Sequence, residues 1–361
     1  TMKFEPINTP DRRISPLVQE KSSCGCSAPV VSASDAETPE PPYVTGHIST
    51  NSGRISRVAT LLTPRDKWET LKARMGSFRM NYSVKPGLYA AGNPDENSDV
   101  FVSANYKMSF DSLRASLNGL NAWILVLDTN GINVWCAAGK GTFGTSELVS
   151  RIKATGLGNI VSHGKLIVPQ LGAPGINSGE VKRKSGFRVL YGPVRASDIK
   201  KFLDSGCKST AGMRRVKFTI TDRLVLTPIE INQIFAKFYI FALFVFIFFG
   251  LTPQGIIFRD SVFKGYIFIA AGLLAVFAGA FFTPVFLPFI PFRSFAVKGW
   301  VAGVAIFSSV VYFGGIFKAW NIFLIISAMI LFPLMSSYMA LQFTGASTYT
   351  SLSGVKRELK F

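Results

Sequence analysis

The chain has 361 residues, of which 48% are hydrophobic and only 17% charged, and its formal net charge is +18. The basic excess is dispersed, 30 Lys+Arg against 19 Asp+Glu as far as Asn232 and 9 against 2 beyond it. With no long basic run and no nucleic-acid-binding motif, nucleic acid is excluded as the expected partner and anionic lipid headgroups are favoured.

Residues 1–60 are rich in Ser, Thr and Pro, as in "APVVSASDAETPEPPYVTG", and cannot bury enough apolar surface to offset their ordering entropy. They are expected to form a flexible tail without a secretory signal, because no apolar h-region opens the chain. The tail holds a Cys-x-Cys pair, Cys24 and Cys26. With Cys136 and Cys207 these are the only four cysteines, too few for a disulfide framework and better read as thiols in a reducing compartment.

Residues 61–231 read as α/β. "GLYAAG" (87–92), "DVFVSAN" (99–105), "KLIVP" (165–169) and "FRVLYG" (187–192) are strand-like. "AWILVLDT" (122–129) is a continuous apolar run that suits a strand buried on both faces. Helices are expected over 109–119, 145–156 and 195–206, each closed by a glycine. Such alternation predicts a mostly parallel, Rossmann-like sheet, with ligands at the C-terminal ends of its strands. Asn105, Tyr106, Val168 and Gly172 fall in the loops at those ends and are candidate ligand contacts.

From residue 232 the pattern changes to that of an all-α, multi-span transmembrane domain reaching residue 342. Apolar runs at 238–251, 266–282, 299–317 and 320–341 are long enough, or nearly so, to cross a bilayer. "TPVFLPFIPF" (283–292) carries three prolines and is a doubtful fifth span. With four spans, Arg293, Lys298, Lys356, Arg357 and Lys360 lie on the same side as the α/β domain, which the positive-inside rule places in the cytoplasm. Residues 343–361 are expected to be a polar, basic tail.

One short stretch concentrates the chemistry. "NVWCAAGKG" (133–141) follows the buried strand. Asn133 is a good N-cap, so Val134, Trp135 and Cys136 would open a short helix that Gly139 can end. Unpaired N–H groups in that first turn favour negative charge on Cys136, making it a nucleophile or metal ligand. A small buried core residue remains the alternative for the thiol. The "GKG" is not a phosphate-binding loop, because Val134 stands where that motif needs glycine and Gly141 where it needs Ser or Thr.

This stretch resembles the cap-helix signature of the corrinoid proteins of microbial mercury methylation, the HgcA family. "VKPGLYAAGNPDENSDVFVSANYKMSFDSLR" (84–114) is similar to the corrinoid domain of the corrinoid iron–sulfur proteins of the acetyl-CoA pathway. The resemblance implies a membrane-bound methyltransferase with a cobalamin-type cobamide as cofactor and Cys136 as catalytic residue and lower axial ligand of cobalt. It also implies that Asn133, Val134, Trp135, Ala137, Ala138, Gly139 and Lys140 form the helix beneath the corrin ring, the alanines leaving room for it. A methyltetrahydrofolate-linked donor would supply the methyl group to Co(I), and methyl-Co(III) would pass it to Hg(II). An axial thiolate pushes electron density onto the metal and favours methyl departure with its electrons. No cluster-type cysteine spacing exists in the chain, so the electron donor would be a separate ferredoxin-like 4Fe-4S protein, HgcB. Cys24 and Cys26 could bind Hg(II), a soft metal. Two other readings remain: a corrinoid methyl carrier of one-carbon metabolism, and a membrane metal-binding or transport protein. Few charges lie within the apolar runs, which counts against the last.

Overall fold

The computed structural model describes residues 40–253, 255–256, 258–314, 320–346 and 358. A hairpin of β1 (Val44–Thr50) and β2 (Gly53–Val58) comes first, followed by α1 (Pro64–Met75), β3 (Gly87–Ala91) and β4 (Val100–Ala104). Then come α2 (Lys107–Ser116), β5 (Ala122–Leu127), α3 (Val134–Lys140), α4 (Thr145–Ala154), β6 (Lys165–Val168), α5 (Ser178–Ser185), β7 (Arg188–Tyr191) and α6 (Ile199–Asp204). The seven strands form one sheet in the order β1-β2-β3-β5-β4-β6-β7. Strands β5, β4, β6 and β7 are mutually parallel, whereas β3 runs antiparallel to β5. The sheet is therefore mixed, and its parallel half has the doubly wound pattern. The chain leaves β4 toward β5 on one side and returns to β6 on the other, so the switch point lies between the C-terminal ends of β4 and β6.

All six residues of β5 are buried, as its unbroken apolar run requires in a strand covered on both faces. Two apolar layers cover the sheet. One contains Leu125, Leu127, Leu148, Val168 and Val189. The other contains Ile124, Val126, Phe110, Leu117 and Phe202. Residues 44–58, expected to belong to the flexible tail, are instead the β1–β2 hairpin at the sheet edge. Ile55 and Val58 are its main buried anchors, while the rest stays partly or fully open to solvent. Helix α2 starts two residues before its expected position, with Tyr106 at the N-cap. Cys24 and Cys26 lie outside the described residues.

Short helices α7 (Ala211–Arg214) and α8 (Ile220–Leu224) lead into α9 (Thr227–Gly250). A two-residue ribbon, β8 (Leu251–Thr252) with β9 (Gly255–Ile256), precedes α10 (Phe258–Val276). Helix α10 continues through a π-helical turn (Phe277–Phe282) into α11 (Thr283–Val285); α12 (Phe295–Phe313) and α13 (Ile322–Gln342) follow. The described residues thus contain four helices long and apolar enough to cross a membrane: 220–250, 265–285, 295–313 and 322–342. The doubtful segment 283–292 is not a fifth span. Its first three residues extend the second helix, and the rest turns before Ser294 caps α12. Helices α12 and α13 approach through glycines. A Cβ on Gly299 or Gly303 would come within 3 Å of the backbone of α13, and the Ser336 hydroxyl donates to the Gly299 carbonyl at 2.7 Å. This is the small-residue packing by which helices associate in lipid, where apolar surface alone gives no preference.

Candidate functional site

The expected cap helix forms. Asn133 Oδ1 accepts from the Cys136 N–H at 2.9 Å, fixing the first turn of α3. The helix runs to Lys140 and ends at Gly141, whose φ of 85° is left-handed, so Gly141 and not Gly139 is its terminator. Cys136 is exposed, and Trp135 beside it is 43% exposed.

Ala137 and Ala138 do not face the same way as the thiol. Both are buried in the apolar layer under α3. Their small size serves close packing: a Cβ on Gly175 would stand 3.2 Å from Ala138 Cα and 2.1 Å from the Phe143 carbonyl oxygen. Open space on α3 lies at Gly139, which is exposed, and not at the alanines. Lys140 is also exposed.

The loop feeding α3 is held by Asn105. Its Oδ1 accepts from the N–H groups of Thr129 (3.1 Å) and Gly131 (2.9 Å), and its Nδ2 donates to Asp128 at 3.3 Å. The loop needs this clamp because Asn130 and Gly131 both take positive φ, 55° and 69°. Asn105, expected as a ligand contact, is thus a buried positioning residue. Val168 is fully buried core, and Gly172 packs so tightly that a Cβ would fall 2.4 Å from the Phe143 ring. Neither lines the site, whereas Tyr106 does.

The site itself is a cleft of about 440 Å³ at the switch point, lined in part by Asn133, Val134 and Trp135. Its walls come from β4 (Phe101, Val102, Ser103), the cleft-facing side of α2 (Met108, Ser109, Ser112, Leu113) and the loops after β6 (Pro169, Leu171) and β7 (Gly192, Pro193, Val194). The lining is apolar with scattered hydroxyls, and Arg74 is its one charged side chain. Burial raises the pKa of the Tyr106 phenol, which stays neutral. No carboxylate or histidine lines the cleft. His163 lies elsewhere: its Nε2 is 2.9 Å from the Ser98 carbonyl and its Nδ1 accepts from Lys165 N. Among the described residues no cluster of three or more His, Cys, Asp or Glu could hold a metal ion. Cys207 is half-buried, and burial pushes its thiol pKa up, in keeping with a structural role. Sequence reasoning missed the α2 wall, Arg74 and the loop after β7. The same rule that pointed to the loop after Val168 applies to the Gly-Pro that ends β7.

Behind α2 lies a second polar group that no sequence motif announced. The Lys107 ammonium is 2.9 Å from Asp66 and 2.8 Å from Asp111, and Arg114 donates to Asp111 at 2.7 Å and forms an ion pair with Asp66 at 3.0 Å. All four side chains are buried. The group ties α1 to α2, and the Arg114 guanidinium also donates to the Ala59 carbonyl at 2.6 Å.

Residues 75–203 match the family model of the CO dehydrogenase/acetyl-CoA synthase delta subunit (CdhD). Similar proteins include the acetyl-CoA decarbonylase/synthase complex subunit gamma of Methanothermobacter thermautotrophicus, 34% identical over 152 residues, covering 40% of this chain and 33% of that protein. The subunit gamma of Methanocaldococcus jannaschii is 32% identical over 127 residues, 35% of this chain and 26% of its own length. The corrinoid/iron–sulfur protein large subunit of Moorella thermoacetica is 29% identical over 121 residues, 33% of this chain and 27% of its own length. The α/β region is therefore a corrinoid-protein-like domain, followed by four helices able to cross a membrane. The chain spans a third or less of the length of these relatives.

Proposed function

We propose that this protein is a membrane-anchored, corrinoid-dependent methyltransferase of the HgcA type, with Hg(II) as methyl acceptor. The observation that carries the reading is the exposed Cys136 in the Asn133-capped first turn of α3, within the sequence "NVWCAAGKG" and directly after Asn133, Val134 and Trp135, which line the switch-point cleft. The residues present fit a corrinoid. A free thiol faces outward where a metal in a flat ring could meet it, and no histidine competes for it in the cleft lining. The mostly apolar, hydroxyl-bearing cleft suits a nucleotide-like tail, with Arg74, its one charged side chain, available to the phosphate.

When bound, the corrinoid supplies a cobalt centre able to accept and release a methyl group. The chain's own residues prepare the place for it. Cys136 would hold the metal through its sulfur, and electron donation from that ligand would favour the polarity of methyl transfer that an electrophilic Hg(II) requires. Asn133 and Asn105 fix the height and direction of that thiol. Trp135 and Leu171 add apolar surface to the cleft beside the thiol's turn. The methyl would come from a methyltetrahydrofolate-linked donor, and electrons from a ferredoxin-like 4Fe-4S protein, HgcB. Arg293, Lys298 and the basic C-terminal residues support a cytoplasmic α/β domain at the inner membrane.

The test uses the full chain loaded with cobamide. Cys136→Ala should retain corrinoid, change its absorption spectrum and lower methylmercury formation by more than about tenfold. Unchanged methylation would remove Cys136 as a metal ligand. A second reading, a methyl carrier in acetyl-CoA metabolism, is favoured by the names of the relatives. It would take over if the wild-type protein exchanged methyl groups with an acetyl-CoA synthase but formed no methylmercury.

A further inference from the structure

The segment between the α/β domain and the first long helix has an unusual surface. Arg195, Lys201, Arg215 and Lys217 line a cavity of about 540 Å³, with Asp198 as the sole carboxylate in its wall. Arg195 is already paired with Asp222 at 2.7 Å. The side chains of Lys201, Arg215 and Lys217 make no ion pair among the described residues. Three like charges gathered at one cavity repel one another unless an anion joins them.

The surroundings indicate which anion. Val216, Ile220 and Leu224 are 44%, 48% and 38% exposed, and Ile220 and Leu224 share one face of α8. The same segment is anchored on its other side: Phe218 stacks on Phe343 at 6.3 Å, and Phe218 and Leu226 pack on Leu287, Phe295 and Phe343. Those three residues sit where α11 ends, α12 begins and α13 ends, at one end of the helical bundle. Cations and unpaired apolar side chains thus lie together where the chain would enter the bilayer, the arrangement of an interfacial segment.

We propose that this cavity binds the phosphate of an anionic phospholipid headgroup, with Val216, Ile220 and Leu224 against its acyl chains. The site is separate from the switch-point cleft, and the inference rests on the four long helices spanning a membrane but not on the corrinoid reading. It places a lipid contact at the loop after β7, which also forms one wall of the cleft.

The test is native mass spectrometry of the delipidated full chain titrated with phosphatidylglycerol, phosphatidylcholine or inorganic phosphate. Phosphatidylglycerol should be retained at least about tenfold better than phosphatidylcholine and resist displacement by inorganic phosphate. The triple variant Lys201→Gln/Arg215→Gln/Lys217→Gln should weaken that retention about 100-fold. The charge-matched control Lys182→Gln/Arg183→Gln/Lys184→Gln on α5 should change it by less than about twofold. Equal loss in both variants, or equal retention of the two lipids, overturns the proposal; displacement by phosphate reassigns the site to the free ion and overturns it as a lipid site. In the unmutated protein, phosphatidylglycerol should also slow acylation of Lys201 and Lys217 relative to Lys182, and absence of that protection counts equally against it.

Discussion

The two sides of α2 hold opposite kinds of polar environment. On one, Lys107, Asp111 and Arg114 recur at helical spacing and close a buried ion network with Asp66. On the other, Met108, Ser109, Ser112 and Leu113 present methyls and hydroxyls to the cleft. The charges of this region hold α1 against α2, and apart from Arg74 none is turned toward the place where chemistry is proposed. A protein that delegates reactivity to a cofactor needs a shaped, nearly neutral cleft and one ligand, and its ionic groups remain free for architecture.

The sharpest way to break this contrast is Lys107→Met, which leaves Asp66 and Asp111 buried without their ammonium. It should destabilise the α/β domain by about 3–5 kcal/mol, read as a lowered unfolding transition of the solubilised full chain. A loss below about 1 kcal/mol would show that the network does not hold the helices together. Gly175→Ala, which drives a Cβ toward the Phe143 carbonyl, should cost about 1–3 kcal/mol by the same measurement, because α3 and the 170–175 loop cannot separate freely. Ser112→Leu should leave stability within about 0.5 kcal/mol yet reduce corrinoid loading, since it fills the cleft without touching the network. Cys136→Ala should change stability least of all, because the thiol is exposed and its N–H, not its sulfur, is bound to Asn133.

Acid and base should separate the two sides as well. Burial alone would raise the Asp66 pKa, but hydrogen bonds from Lys107 and Thr63 hold it well below the usual carboxylate range. Its contribution is therefore present above about pH 4, the unfolded value, and is lost as pH falls further. For Lys107, burial would lower the pKa, but the bonds to Asp111 and Asp66 raise it above that of a free lysine. That contribution holds below about pH 10 and is lost as pH rises toward the folded value. Lys107→Met should flatten both limbs of the stability profile, and a variant in the cleft should flatten neither.

The sequence made β5 legible because a strand buried on both faces has an unbroken apolar run. It made α3 legible because Asn133 and the thiol stand at cap spacing. The β1–β2 hairpin escaped because an edge hairpin covered on one side buries few residues, and its Thr, Ser and Gly content is that of a tail. The ion network escaped for a different reason: Asp66 and Lys107 are 41 residues apart, and only the fold brings them together. Ala137 and Ala138 show a subtler failure. Small residues in a cap helix suggest clearance above it, but period 3.6 turns these two inward while Cys136 faces out.

That division of faces bears on which changes of chain length the protein could survive. Helix α3 hangs between left-handed residues, Asn130 and Gly131 before it and Gly141 after it. Inserting one residue within the helix ahead of Cys136 would rotate the remainder of α3 by about 100° relative to its anchors. The thiol would swing inward to the place of the buried Ala137, and the inserted residue or Trp135 would take its exposed position. A systematic insertion and deletion scan should therefore find residues 128–141 intolerant of any change in length, while the polar turn at 51–52 accepts added residues freely.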